Sequence, residues 1–209
     1  MTDELLTAED ISQMFTRAEG AYLFARWGRP IVPVVFGVDA ATLATVKGAI
    51  EAVVALAGHR MAETDPELGA NLMVFFFRDW QELLEVPNLD QLVEGLAETV
   101  ARLDDAGANQ YRAFRFDREG AIRACFAFIR MDPALDEVPA ETIALSLAVQ
   151  VILLWGEHAF DAHPPLAQAR GVTVLRPGVA ALIRAGYDPV LPACADDASH
   201  ALRLAARMR

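Results

Sequence analysis

Only two cysteines, Cys125 and Cys194, occur in 209 residues. That is too few for a disulfide framework, and a chain this long buries roughly 70% of its unfolded surface without covalent staples. Cys125 falls in the apolar run RACFAFI, where a free thiol acts as a small hydrophobe. A bridge to Cys194 is neither required nor ruled out by the spacing. Basic residues are scarce as well: 18 Lys and Arg against 29 Asp and Glu leave a net charge of −11. Such a surface repels nucleic acid and anionic membranes. The densest basic group, Arg203, Arg207 and Arg209, reads as a solvated helix face. Clean apolar runs are short. The most apolar segment, residues 143–155, is broken by Ser146 and Gln150, and a membrane span needs about 18 residues or more. The stretch MTDELLTAEDISQMF has no basic region and no apolar run, so it is not a signal peptide. Repeats, low-complexity tracts, G-x-G-x-x-G and Walker A patterns are also missing, which leaves nucleotide binding without support. Together these absences predict a soluble, cytoplasmic, reduced protein with no cofactor and with neither nucleic acid nor membrane as partner.

What is present suits a globular chain: 54% apolar and 22% charged residues. Residues 7–19 read as an amphipathic helix with Thr7 as N-cap and Ile11, Met14 and Phe15 on its apolar stripe. The segment PIVPVVFGV, residues 30–38, is a β-branched strand that Pro33 confines to an edge or a bulge. Asp39 caps a long helix closed by Gly58. NLMVFFF, residues 71–77, has no polar alternation, so both faces of that strand are covered. Helices follow over 79–85 and 88–104. Residues 110–117 and 121–129 flank Arg118, Glu119 and Gly120 and read as a β-hairpin. Pro139 opens a buried helix. Residues 156–176 read as loop, and helices over 178–186 and 196–208 close the chain, the last capped by Asp196. This order predicts an α/β or α+β fold with a mixed sheet of about four strands. The expectation is one domain over 1–209: an N-terminal helix and turn (1–28), a core (29–157), and a loop with a helical tail (158–209).

The buried helix carries an unusual polar line. Thr142, Ser146 and Gln150 recur four residues apart and share an arc of about 80°, which Glu157 joins if the helix runs on. The positions between them are apolar. Thr142 and Ser146 can bond back to their own helix carbonyls, with Gln150 on a neighbouring backbone; the alternative is that this face lines a cleft.

The order of elements and this helix resemble zincin-type metallopeptidases. Their active-site helix carries H-E-x-x-H, two zinc-binding His one turn apart with a Glu general base between them. The chain is more similar still to an uncharacterised bacterial group related to the zincins. There the helix reads E-E-x-x-Q, and a tail like L-x-x-L-Y-D-P-x-L-x-P-G-M follows. Here Tyr187, Asp188, Pro189, Leu191 and Pro192 match that tail, within a resemblance spanning roughly residues 29–207. It implies a zincin-like α+β fold in which a four-stranded mixed sheet packs against a long helix and a buried central helix. Laid on H-E-x-x-H, however, the helix supplies Ser146, Leu147 and Gln150. Leucine cannot activate water, and a hydroxyl and an amide are poor zinc ligands. The resemblance therefore implies a pseudo-metallopeptidase with no catalytic residues, a binding protein whose cleft-lining candidates are Thr142, Ser146, Gln150 and Glu157. By analogy with zincins, the ligand expected is an extended peptide or protein segment added to the sheet edge.

One other cluster competes. Glu157, His158, Asp161 and His163 hold donor types suited to a divalent metal, with His158 also a candidate base, so the rival expectation is a metal-dependent hydrolase with His158, Asp161 and His163 as ligands. The same residues suit a solvated loop with a histidine at a helix end. His59 fits a helix terminus in the same way, and His200 has no partner in the sequence. Tyr22, Phe24 and Trp27 either line a groove or fill the core. A third expectation is a homodimer formed by pairing of exposed apolar faces.

Overall fold

A computed structural model describes residues 6–208. Residues 1–5, from the N-terminal stretch read above, and Arg209, from the basic C-terminal group, lie outside the described residues. The protein is α+β, built on a mixed four-stranded sheet. Strands β2 (Pro33–Phe36), β3 (Leu72–Phe77) and β5 (Ile122–Arg130) run parallel, and β4 (Gln110–Phe116) pairs antiparallel with β5. The order is β2-β3-β5-β4. β2 thus stands at one edge, where a proline without an N–H is tolerated, and β4 stands at the other.

The unbroken apolar run of β3 is explained by cover on both faces. Leu72, Val74 and Phe76 join Cys125, Ala127 and Ile129 of β5 in a core shared with α2 (Ala40–Leu56) and α6 (Ala140–Ile152). Phe75 and Phe77 turn the other way. With Phe126 and Phe128 they pack on Trp80, Leu83, Leu96 and Val100 of the short helices that follow β3. Helix α2 buries Val46, Ile50, Val53 and Val54, one stripe at helical spacing, and Asp39 caps it by accepting from the Thr42 N–H at 2.8 Å. Helix α6 lies beside α2.

Several boundaries differ from the sequence expectation. The first helix, α1, covers only Ala8–Met14. The segment 79–85 is a 3-10 helix, Trp80–Glu85. The helix expected over 88–104 is two, α3 (Leu89–Leu92) and α4 (Leu96–Asp105), because Gly95 turns left-handed at φ 65° between them. A short α5 (Pro133–Asp136) precedes α6. The loop expected over 156–176 contains a hairpin, β6 (Leu166–Ala169) with β7 (Val172–Leu175), around Arg170 and Gly171 at φ 52° and 79°. Two positive φ values in a two-residue connection match the twist of a hairpin. Helix α7 is Pro177–Gly186, and α8 begins at Ser199, whose N–H is bound by Asp197 rather than Asp196. Phe24–Ala25 (β1) pairs with Cys194–Ala195 (β8), tying the two ends of the chain together. Both cysteines are free. Among the described residues no helix is long and apolar enough to cross a membrane.

Candidate functional site

The central helix ends earlier than a continuous pattern suggests. At Leu153 the backbone turns extended, so Glu157 is not on α6 and cannot join the polar line through it. Side chains take the carbonyls at the helix end. Trp155 Nε1 donates to Val149 O at 2.7 Å, Trp27 Nε1 to Val151 O at 2.8 Å, and Tyr187 Oη to Ile152 O at 2.8 Å. These are carbonyls that a buried helix terminus otherwise leaves orphaned. The Tyr187-Asp188-Pro189 tail thus has a structural use, since Tyr187 closes α6 and Asp188 binds Arg207 Nε at 2.7 Å. The chain beyond the helix is equally fixed. Leu154 N–H donates to Ala25 O and Gly156 N–H to Met14 O, and a Cβ at Gly156 would collide with the Thr16 carbonyl.

This extended exit from α6 forms one wall of a cleft of about 560 Å³. The opposite wall is the edge strand β4, through Gln110, Tyr111, Arg112 and Phe114. Gln150, Leu154, Trp155, Phe160, Arg17 and Arg102 complete the lining with Glu157 and Asp161. The lining is more polar than apolar, with charged and amide side chains set among Phe114, Leu154, Trp155 and Phe160, and the volume admits a small ligand or a peptide side chain.

The outer side of β4 pairs with no strand among the described residues. Its hydrogen-bond phase follows from one contact: Arg130 N–H donates to Asn109 O at 2.8 Å. Antiparallel pairs alternate, so Tyr111 and Ala113 bond inward to β5. Gln110, Arg112 and Phe114 then direct their N–H and C=O groups outward. The side chains of the same three residues face the cleft. Phe114 O accepts from Arg115 Nη1 at 3.2 Å, which leaves the outward groups of Gln110 and Arg112 for another chain.

The four cleft-lining candidates of the polar line separate. Gln150 lines the cleft and donates to Ser146 Oγ at 2.9 Å, so these two satisfy each other rather than helix or neighbouring carbonyls. Thr142 meets Thr173 of β7 at 2.6 Å, under the hairpin. Glu157 lines the cleft but is held by an ion pair with Arg17 and by the Ala18 N–H at 2.9 Å. The rival metal residues also part. His158 and Asp161 pair at 2.9 Å, each 73% exposed, while His163 turns to Asp10 at 3.1 Å. Among the described residues no group of three or more His, Cys, Asp or Glu is placed to hold a metal ion. Tyr22, Phe24 and Trp27 are core residues, and His59 bonds the Arg29 carbonyl at 2.8 Å.

Sequence reasoning passed over Arg112. Its side chain is half-buried on the cleft side of β4, and desolvation lowers its pKa from the ordinary arginine value. Among the described residues its side chain makes one hydrogen bond, donating to Gln110 Oε1 at 3.4 Å. The nearby Cys125 thiol provides no counter-charge at neutral pH, because burial pushes its pKa up to about 12. The signal was in QYRAFRF: counting by two puts an arginine on the same face as residues that must meet the core.

No family model, no curated protein and no solved structure matches this chain.

Proposed function

We propose that the chain is a zincin-like binding protein that holds an extended peptide along the free edge of β4. The observation that carries this reading is the coincidence of two features at one place. The outward backbone groups of Gln110 and Arg112 lie at the rim of the cleft into which Gln150 points. An added strand satisfies those groups, while its alternate side chains enter the cleft. The composition of α6 supports a role without peptide hydrolysis. At the place where a zincin helix carries its general base stands Leu147, buried in the core, flanked at the ligand positions by Ser146 and Gln150, which bond each other.

Proline scanning of the edge tests this. Gln110→Pro removes an outward N–H and leaves the inward ladder to β5 intact. Loss of one strand-to-strand hydrogen bond is expected to weaken an extended peptide about tenfold or less, with the melting temperature little changed. Unchanged affinity in this variant, for a peptide that binds the wild type, would refute strand addition at β4.

A further inference from the structure

We infer that the peptide taken up along β4 carries an internal acidic side chain whose carboxylate lies on Arg112; the inference rests on the strand-addition reading. The cleft holds three arginines and two acids. Both acids are engaged, Glu157 with Arg17 and Asp161 with His158. Arg102 lies over the Tyr111 ring, its guanidinium carbon 5.7 Å from the centroid, and pairs with no carboxylate among the described residues. Among the described residues Arg112 has only the amide oxygen of Gln110. Arg102 is exposed, whereas Arg112 is half-buried and faces the cleft, so Arg112 is the cation there to which a ligand acid would matter most. A half-buried guanidinium facing the cleft without an acid is a charge that a ligand carboxylate, bound bidentate, can meet.

The register narrows the ligand further. Arg112 stands inside β4, with Gln110 before it and Phe114 after it on the same face. A strand laid along this edge places one side chain directly opposite Arg112, and its neighbours two residues away opposite Gln110 and Phe114. Cleft-facing side chains on both sides of Arg112 favour an acid within the peptide over a terminal carboxylate. The wall formed by Phe114, Trp155 and Phe160 takes an apolar residue two positions from that acid.

The test uses calorimetry and NMR on the full chain with four probes. They are an acetylated, amidated strand peptide of alternating Thr and Val with one central Glu, its Gln counterpart, the Gln peptide with a free C-terminus, and potassium glutarate. The Glu peptide is expected to bind about tenfold or more tighter than the Gln peptide. That ratio should fall to near one in Arg112→Met and remain partial in Arg112→Lys. Arg112→Met should melt close to the wild-type temperature, because the half-buried charge it removes has no ion-pair partner among the described residues. Equal binding of the Glu and Gln peptides overturns the carboxylate assignment and leaves strand addition standing. Glutarate shifting the Arg112 guanidinium signal while no peptide binds overturns the peptide and keeps the carboxylate site. No response to any probe overturns both, and tightest binding by the free C-terminus overturns the internal position.

Discussion

The His200 ring lies 4.5 Å from the Phe24 ring and 3.0 Å from Tyr22 Oη through Nδ1, while its buried Nε2 has no partner among the described residues. Burial first, then the charges of Arg203 and Arg207, pull its pKa down to about 4. The unfolded chain therefore binds a proton near pH 6.5 that the folded chain refuses. Stability from this residue is fully present above about pH 6.5 and is lost as pH falls towards 4, up to about 3 kcal/mol. Asp65 works in a lower window. Its burial is outweighed by N–H bonds from Glu67 and Leu68 and by Asn71 and Arg29, so its pKa drops to about 2 and its contribution fades only below about pH 4. Urea unfolding between pH 7 and 4.5 should thus show a steady decline that is clearly shallower in His200→Gln, the remainder coming from His59, whose pKa burial also lowers. An identical slope in that variant would assign the pH dependence elsewhere.

At the scale of elements, the end of α6 decides where the cleft begins. Tyr187 Oη donates to Ile152 O and also stands 3.3 Å from the Trp27 N–H, so one hydroxyl serves the helix end and the chain before β2. Tyr187→Phe should cost about 1–2 kcal/mol by orphaning that carbonyl, measured as a lower urea midpoint at unchanged m-value. A change within a few tenths of a kcal/mol would show that the hydroxyl is dispensable. These details mark what the sequence made legible. β3 and β5 were readable because strands covered on both faces have no polar alternation to blur them, and α2 because Asp39 and Gly58 punctuate it. The β6–β7 hairpin was hidden: Leu-Ala-Gln-Ala has weak strand preference, and Arg170 is an uncommon residue at φ 52°. β1 and β8 have two residues each and exist only through their mutual pairing. Of the site, Gln150 was visible as a polar residue on an apolar helix. Arg112 was not, because its want of a partner depends on which acids the fold brings near.

For the whole molecule, the net charge of −11 sets a background that rejects anions, and the two arginines of the cleft without acid partners are a local exception to it. A ligand must therefore bring more than negative charge, and backbone pairing along β4 supplies that selection. The mixed sheet makes such pairing available because β4 is an antiparallel edge strand whose outer side pairs with no strand among the described residues. Hydrogen–deuterium exchange resolved at single amides, with and without a saturating Glu-bearing strand peptide, tests the central claim most directly. The account predicts that the Gln110 and Arg112 amides, open in the free protein, become protected on binding, while those of Tyr111 and Ala113, already bonded to β5, change little. A bound peptide that leaves the Gln110 and Arg112 amides exchanging as before would contradict it.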